Sequence, residues 1–323
     1  MTFIYKNLII ALQEGSMSEI FNGLEELGFK KIDIDDIYGK DKEKIKVAQK
    51  HISEKNPLYL TTVCCPVCGN NYKEKAVKSS SSRIASKDTD LFIRYDIINP
   101  YFYDVWICNK CGYSALKVDF PKIREGEIEL ISEKITPKFK PKIYPEFYDL
   151  DIAIERYKMA LINAVYMESK WSRKAIICLK LAWMYRLMNS ENGKEMERVF
   201  LKEAVKGLEE AYMKESFPLY GMDNLTTMYL IAEIHRRLGN HSVALTWFSN
   251  LITSKGVKPN LKELARTQKD LVKEELLLVK KLELNGELLN DESFDLHHED
   301  KLEGSEDNIK MSTPKKSFFK LFK

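Results

Sequence analysis

Four cysteines carry the plainest chemistry in this chain. They stand in two short stretches, Cys65-Pro66-Val67-Cys68-Gly69 and Cys108-Asn109-Lys110-Cys111-Gly112. Two residues between paired cysteines let both sulfurs of one tight turn face a single ion. The glycine that follows takes a positive φ, which turns backbone amides toward the thiolates. Each turn supplies two ligands, and two turns supply the four thiolates that tetrahedral zinc prefers. A closed four-sulfur set leaves no open position for water or substrate, so the zinc it predicts is structural.

The other two cysteines read differently. Cys64 adjoins the first knuckle, but its register points it away from the ion, and it is expected to pack. Cys178 sits in an apolar helical pattern as a small core residue. Six cysteines used this way suit a reducing compartment better than a disulfide framework.

The flanking stretches must position the knuckles. Leu58 to Val63 reads as a strand entering the first and Tyr72 to Val77 as the strand leaving it. Tyr101 to Ile107 is aromatic and β-branched and reads as a strand entering the second, with Tyr113 to Val118 leaving it. Strand, knuckle, strand, taken twice, is a zinc-ribbon arrangement spanning residues 58–120. The insert between the knuckles holds Arg83, Lys87, Asp88, Asp90, Arg94, Tyr95, Asn99 and Pro100. It is expected to be a salt-bridged loop packed over the ribbon, with a recognition surface as the alternative.

On either side of this module the composition changes. Residues 1–57 form a helical and charged extension. Met17 is a second candidate start, opening a helical pattern through Ile20, Leu24 and Leu27 to Gly28, and His51 lies in the charged stretch that follows. Residues 121–147 carry Pro121, Pro137, Pro141 and Pro145 among lysines and read as a linker with little room for a helix. From 148 to 283 apolar residues recur at helical spacing, as in Ile154-Tyr157-Leu161-Val165, Ile176-Leu179-Trp183-Leu187 and Met196-Phe200-Ala204-Leu208. Breaks fall at Asn189 to Gly193, Phe217 to Gly221, Gly239-Asn240 and Gly256 to Pro259. Ala232, His235, Gly239, Ala244 and Phe248 have the small, aromatic, turn, small, aromatic spacing of a tetratricopeptide (TPR) hairpin, with histidine in the usual tyrosine slot. A TPR-like array and an ordinary helical bundle both fit. Residues 284–323 read as an acidic, disordered tail. It contains His297 and His298 and ends in the basic-aromatic run Lys315 to Lys323, suited to an anionic membrane or a partner groove. The fold class is therefore α+β.

The stretch from Cys65-Pro66-Val67-Cys68-Gly69 through Lys87-Asp88-Thr89-Asp90, Asn99-Pro100-Tyr101 and Tyr103-Asp104-Val105-Trp106-Ile107-Cys108 to Cys111-Gly112-Tyr113 resembles a bacterial family catalogued as domain of unknown function 2225. Leu179 to Arg186, Gly221-Met222-Asp223, Tyr229-Leu230-Ile231, Arg236 to Gly239 and Trp247-Phe248-Ser249 extend the resemblance, which runs over about residues 58 to 275. Phe92-Ile93-Arg94-Tyr95 matches the family pattern only loosely. The resemblance implies a cysteine-knuckle domain joined to TPR-like helices and brings no activity with it.

Composition narrows the function classes. At 44% hydrophobic, 31% charged and a net charge of +3, the chain gives no general reason to expect nucleic-acid binding. No apolar run reaches membrane-span length, and the cytoplasm is the expected location. His235, Arg236 and Arg237 are read as a basic cluster at a helix end; no nucleophile motif accompanies them, and no enzyme is expected. The leading reading is a non-enzymatic interaction protein whose helical surface takes an unidentified protein or peptide. The alternative is nucleic-acid binding through Lys73, Lys75, Lys78, Arg83 and Lys87 with Tyr72 beside them. A further alternative is a redox protein, because the two knuckles also resemble the iron site of rubredoxins, although rubredoxin knuckles lie closer together.

Overall fold

A computed structural model describes residues 56–284, together with Glu26 and Gly28. The expectations for the rest of residues 1–55, His51 among them, and for the tail with His297 and His298 lie outside the described residues.

Three two-stranded antiparallel sheets come first. Strands β1 (Leu58–Cys64) and β2 (Asn71–Val77) flank the first knuckle, in a register that sets Val63 opposite Tyr72. The insert forms a second hairpin from β3 (Ile84–Lys87) and β4 (Ile93–Tyr95). Strands β5 (Val105–Ile107) and β6 (Ser114–Leu116) flank the second knuckle. Alternation explains the two neighbouring cysteines: Val63 and Cys65 point inward, whereas Cys64 is exposed and not packed as expected.

Seven α-helices follow among the described residues: α1 (Glu125–Lys134), α2 (Leu150–Tyr166), α3 (Trp171–Leu187), α4 (Glu191–Lys214), α5 (Asn224–Arg237), α6 (His241–Thr253) and α7 (Pro259–Leu284). The order of elements bears out the α+β class. Helix α1 corrects the expectation that residues 121–147 leave little room for a helix. Pro121 and Pro137 bracket ten residues without interrupting them, and the Glu127 carboxylate accepts the Arg124 backbone N–H at the helix start. Ile131 and Ile135 then bury completely.

Two smaller differences concern breaks. Residues Pro100–Tyr103 form a 3₁₀ turn in place of the start of a strand, because the Asn99 side chain accepts the Tyr101 N–H and Pro100 presets the first turn. Gly193 lies inside the first turn of α4, where Ser190 Oγ accepts its N–H.

Isolated two-stranded hairpins are marginal in water; here β5 and β6 pack on α2, and β2 packs on the 3₁₀ turn Pro100–Tyr103. Helix α2 packs against β5 and β6 on one side and α3 on the other, and α3 packs along α4. One continuous apolar core runs from Val63, Val105, Ile107 and Tyr113 through Tyr157 and Leu161 to Trp183, Phe200 and Leu208. The sheets and the helices therefore share a core. A second cluster joins α5, α6 and α7 through Tyr229, Ala232, Ala244, Phe248, Ala265 and Val272. Ala232 and Ala244 are fully buried, which lets α5 and α6 approach closely. The turn between them is a Schellman closure: Gly239 has φ +81, and Asn240 N–H donates to His235 O at 2.9 Å. The compact unit closes at Leu276; beyond it Leu277 and Leu278, on the last turns of α7, are exposed.

Candidate metal centre

The two knuckles have the same backbone. In each, the first cysteine's N–H is received by the carbonyl five residues on: Cys65 to Asn70 and Cys108 to Tyr113, both at 2.9 Å. The glycine N–H returns to the first cysteine's carbonyl, Gly69 to Cys65 at 2.9 Å and Gly112 to Cys108 at 2.8 Å. That closure needs the positive φ of Gly69 (+68) and Gly112 (+77).

These turns bring Cys65, Cys68, Cys108 and Cys111 together, with their four Sγ atoms all within 4.8 Å of one another. Cys65 and Cys111 are 3.6 Å apart and Cys68 and Cys108 3.5 Å, with no disulfide anywhere in the chain. Sulfurs bound tetrahedrally at about 2.3 Å from one ion sit about 3.8 Å apart. The cluster is close to that spacing on opposite edges, so four sulfurs from two turns can hold one metal ion. Cys64 and Cys178 stay out of it. Cys64 Sγ faces the Gly69 carbonyl, and Cys178 is sealed in α3, where burial raises its thiol well above the usual range.

The thiols perturb one another strongly. Hydrogen bonding to Cys111 and then Cys65 draws the Cys108 thiol down to about 2. Cys65, bonded to Cys108, is pushed up to about 12, and Cys111 is pushed upward by the same neighbours. A cluster this tight cannot carry four negative charges by itself; a cation among the sulfurs removes that conflict.

Helices and the segment after α1 hold the second knuckle in place. Asn163, fully buried on α2, accepts Ser114 N–H at 3.1 Å and donates to the carbonyl of Gly112 at 3.3 Å. Thr136 donates its hydroxyl to Cys111 O at 3.0 Å, and Asn109 Oδ1 receives the Lys142 N–H at 3.0 Å. The first knuckle is tied through its exit strand. Glu74 on β2 pairs with buried Arg156 of α2 at 3.0 Å, and the guanidinium also donates to Val105 O at 2.6 Å. The Tyr148 ring lies under that guanidinium, 4.6 Å from its centroid.

The insert between the knuckles docks on α3 and α5, and its Phe92 and Tyr95 rings also meet Tyr101 of the ribbon module at 5.5 and 6.0 Å. Its salt bridges are extensive. Asp90, completely buried, accepts Trp183 Nε1 at 3.0 Å and both terminal nitrogens of Arg186, at 3.0 and 2.6 Å. Asp88 receives a bidentate pair from Arg94 at 2.8 and 2.9 Å and a further bond from Arg186 at 2.9 Å. Thr89 donates to Glu233 at 2.5 Å, while Arg237 donates to Thr89 at 2.9 Å. Leu91 takes a positive φ of 71 to make the turn. Burial by itself would raise the Asp90 carboxyl; the bonds from Arg186 outweigh it and hold the group below the usual carboxylate range. Two members of the basic cluster at the end of α5, Arg236 and Arg237, belong to this network. Arg236 and Arg237 both bind fully buried Glu233, and His235 bonds Glu209 at 3.0 Å. Trp183, Arg186 and Glu233 are the residues whose role the sequence reading missed. The available signal was charge at positions of α3 and α5 that otherwise face the core.

The basic run after the first knuckle is partly engaged within the fold. Lys73 donates to Thr62 at 2.6 Å, Lys75 to Pro145 O at 2.5 Å and Lys78 to Asn56 O at 2.8 Å. Arg83 faces Asp96 at 3.4 Å on the surface.

A family model described as an uncharacterized protein conserved in bacteria (DUF2225) matches residues 58–272, from the first strand into α7. The chain belongs to the DUF2225 family. All four clustered cysteines and the whole Asp88–Arg186–Glu233 network fall inside the match. Over 165 aligned residues the chain is 20% identical to a protein of Borreliella burgdorferi described only as uncharacterized. That alignment covers 43% of this chain and 58% of the relative, so the chain spans little more than half the relative's length. No solved structure matches the chain significantly. Among the described residues no helix is long and apolar enough to cross a membrane.

Proposed function

We propose that this DUF2225 protein is a non-enzymatic, zinc-stapled interaction protein of a reducing compartment such as the cytoplasm. Cys65, Cys68, Cys108 and Cys111 hold one structural Zn²⁺, and the helical half, read as TPR-like, offers its surface to a protein or peptide partner. The observation that carries the reading is the closed set of four sulfurs within 4.8 Å, three of the four cysteines buried. A set of that kind supports a fold and leaves no coordination position for chemistry. The bound zinc would supply the positive charge that the crowded thiolates require. The chain's own part is to present the sulfurs from two rigid turns and to lock the second turn to α2 through Asn163.

Metal content measured on protein purified without added metal tests this, with an absorption spectrum beside it. About one zinc per chain and no visible colour is the expected result. One iron per chain with a reddish, bleachable spectrum would replace the reading with electron transfer. The commitment of Lys73, Lys75 and Lys78 to oxygens of the chain weighs against nucleic acid as the partner. Tight, steeply salt-dependent oligonucleotide binding would reverse that ranking.

A further inference from the structure

A polar cleft of about 720 Å³ opens where the turn after β6, the start of α1, the start of α3 and the α4–α5 loop meet. Three carboxylates line it, and each already has its own partner. Glu215 receives the N–H and hydroxyl of Ser172 at 3.0 and 2.6 Å. Glu127 receives the N–H and guanidinium of Arg124 at 2.9 and 3.0 Å. Asp119 accepts the hydroxyl of Tyr220, a residue held at φ +48 beside Gly221 at +81. A bulky side chain in that region is strained, and the strain is met where the turn delivers Tyr220 into the cleft.

Apart from Arg124, the cations of the cleft are less committed. Arg173 is only 15% exposed and bonds the Tyr220 hydroxyl, yet its contacts to Ser169, Glu127 and Asp119 run 3.3, 3.5 and 3.9 Å. A formed guanidinium–oxyanion pair is about 2.7–2.9 Å. Lys122 and Lys170 line the same cleft, exposed, and neither makes an ion pair or side-chain hydrogen bond among the described residues. The unspent charge in the cleft is therefore positive and comes from two places in the chain, the turn after β6 and the start of α3.

We infer that this cleft binds the phosphoryl group of a small phosphorylated molecule, with Arg173, Lys122 and Lys170 as its ligands. A phosphoryl group presents three peripheral oxygens and can meet three cations at once, whereas a carboxylate has two oxygens in one plane. The volume lies in the range of sites for whole small molecules, so the cleft has room for the rest of one. Tyr220 and the committed carboxylates form the wall that the rest would meet.

Inorganic pyrophosphate titrated into the full-length, metal-loaded protein by calorimetry is the test. Saturable binding is expected. It should weaken about tenfold or more in Arg173→Gln. The double variant Lys122→Ala/Lys170→Ala should bind similarly weakly while melting at the wild-type temperature without ligand, since neither lysine supports the fold. Acetate at the same concentration should not compete. Three outcomes would overturn the inference: no saturable binding to the wild type, undiminished affinity in the lysine double variant, or displacement by acetate as effective as by phosphate.

Discussion

The two knuckles share a motif and a backbone and differ in everything around them. In the first, Cys68 is only partly buried, and a Cβ placed on Gly69 would meet nothing within 4 Å. In the second, both cysteines are buried, and a Cβ on Gly112 would lie 2.5 Å from the Phe139 ring. Asn163, Thr136 and Lys142 close around the second knuckle from elements up to 51 residues away in sequence. The difference teaches that the C-x-x-C-G pattern sets the turn and the ligands, whereas the packing around it sets what a substitution costs.

The largest effect expected from this contrast is at the ligands. Cys111→Ser and Cys68→Ser should both lose the metal, but Cys111→Ser also strands a hydroxyl in a buried site. It should lower thermal stability more, by about 1–3 kcal/mol. Because the sheets and helices share one core, far-UV and near-UV circular dichroism should report a single transition in both variants. Two separate transitions would show the front module melting by itself and break the account of a shared core.

Next come the glycines. Gly112→Ala combines a left-handed φ with a collision against Phe139 and should cost about 3 kcal/mol or more in urea unfolding, against about 1–2 kcal/mol for Gly69→Ala, which has only the φ penalty. Equal losses would remove the distinction between the knuckles. Asn163→Ala should cost about 2 kcal/mol, by freeing the Ser114 N–H and loosening the Gly112 carbonyl. Amide exchange should rise at residues 112–114 in that variant and stay unchanged at residues 69–71. Protection lost equally at both turns would mean that Asn163 acts on the whole sheet region.

The smallest effect is a pH dependence, which separates the knuckles from the insert between them. Asp90 and Asp88 have folded-state pKa values below the usual carboxylate range, because the arginine bonds outweigh burial. Their contribution is present above the unfolded value of about 3.9 and is lost as pH falls through the lower folded values. Acid unfolding should therefore steepen below about pH 4, and Asp90→Asn should flatten that limb. Gly69→Ala and Gly112→Ala should shift the whole curve and leave its shape alone.

Much of this arrangement is legible in the sequence wherever the cause is local. Cys65 to Gly69 and Cys108 to Gly112 state their chemistry by spacing, and the strands beside them alternate within a few residues. The helices from Leu150 onward follow from apolar periodicity, and the Gly239 turn from a single residue. Helix α1 was hidden because four prolines weigh more in a local reading than Ile131 and Ile135, whose value lies in a core assembled from distant elements. The Asp90–Arg186 and Thr89–Arg237 contacts were invisible for the same reason. A sequence displays such charges, but their pairing over 96 and 148 residues is decided only once α3 and α5 are in place. The Arg173 cleft draws on four elements, and the length of the Arg173 contacts to its two carboxylates appears only when the distances are measured.

That long reach also bears on the order in which a ribosome delivers the parts. Both knuckles are complete once Tyr113 has emerged, so the sulfurs can meet early. The loop carrying Asp88, Thr89 and Asp90 must then wait with its carboxylates in water until Trp183 and Arg186 arrive, and longer still for Tyr229, Glu233 and Arg237. A nascent chain stopped before α5 would hold its metal turns and half of the seat for that loop, leaving Thr89 without the partners that complete it.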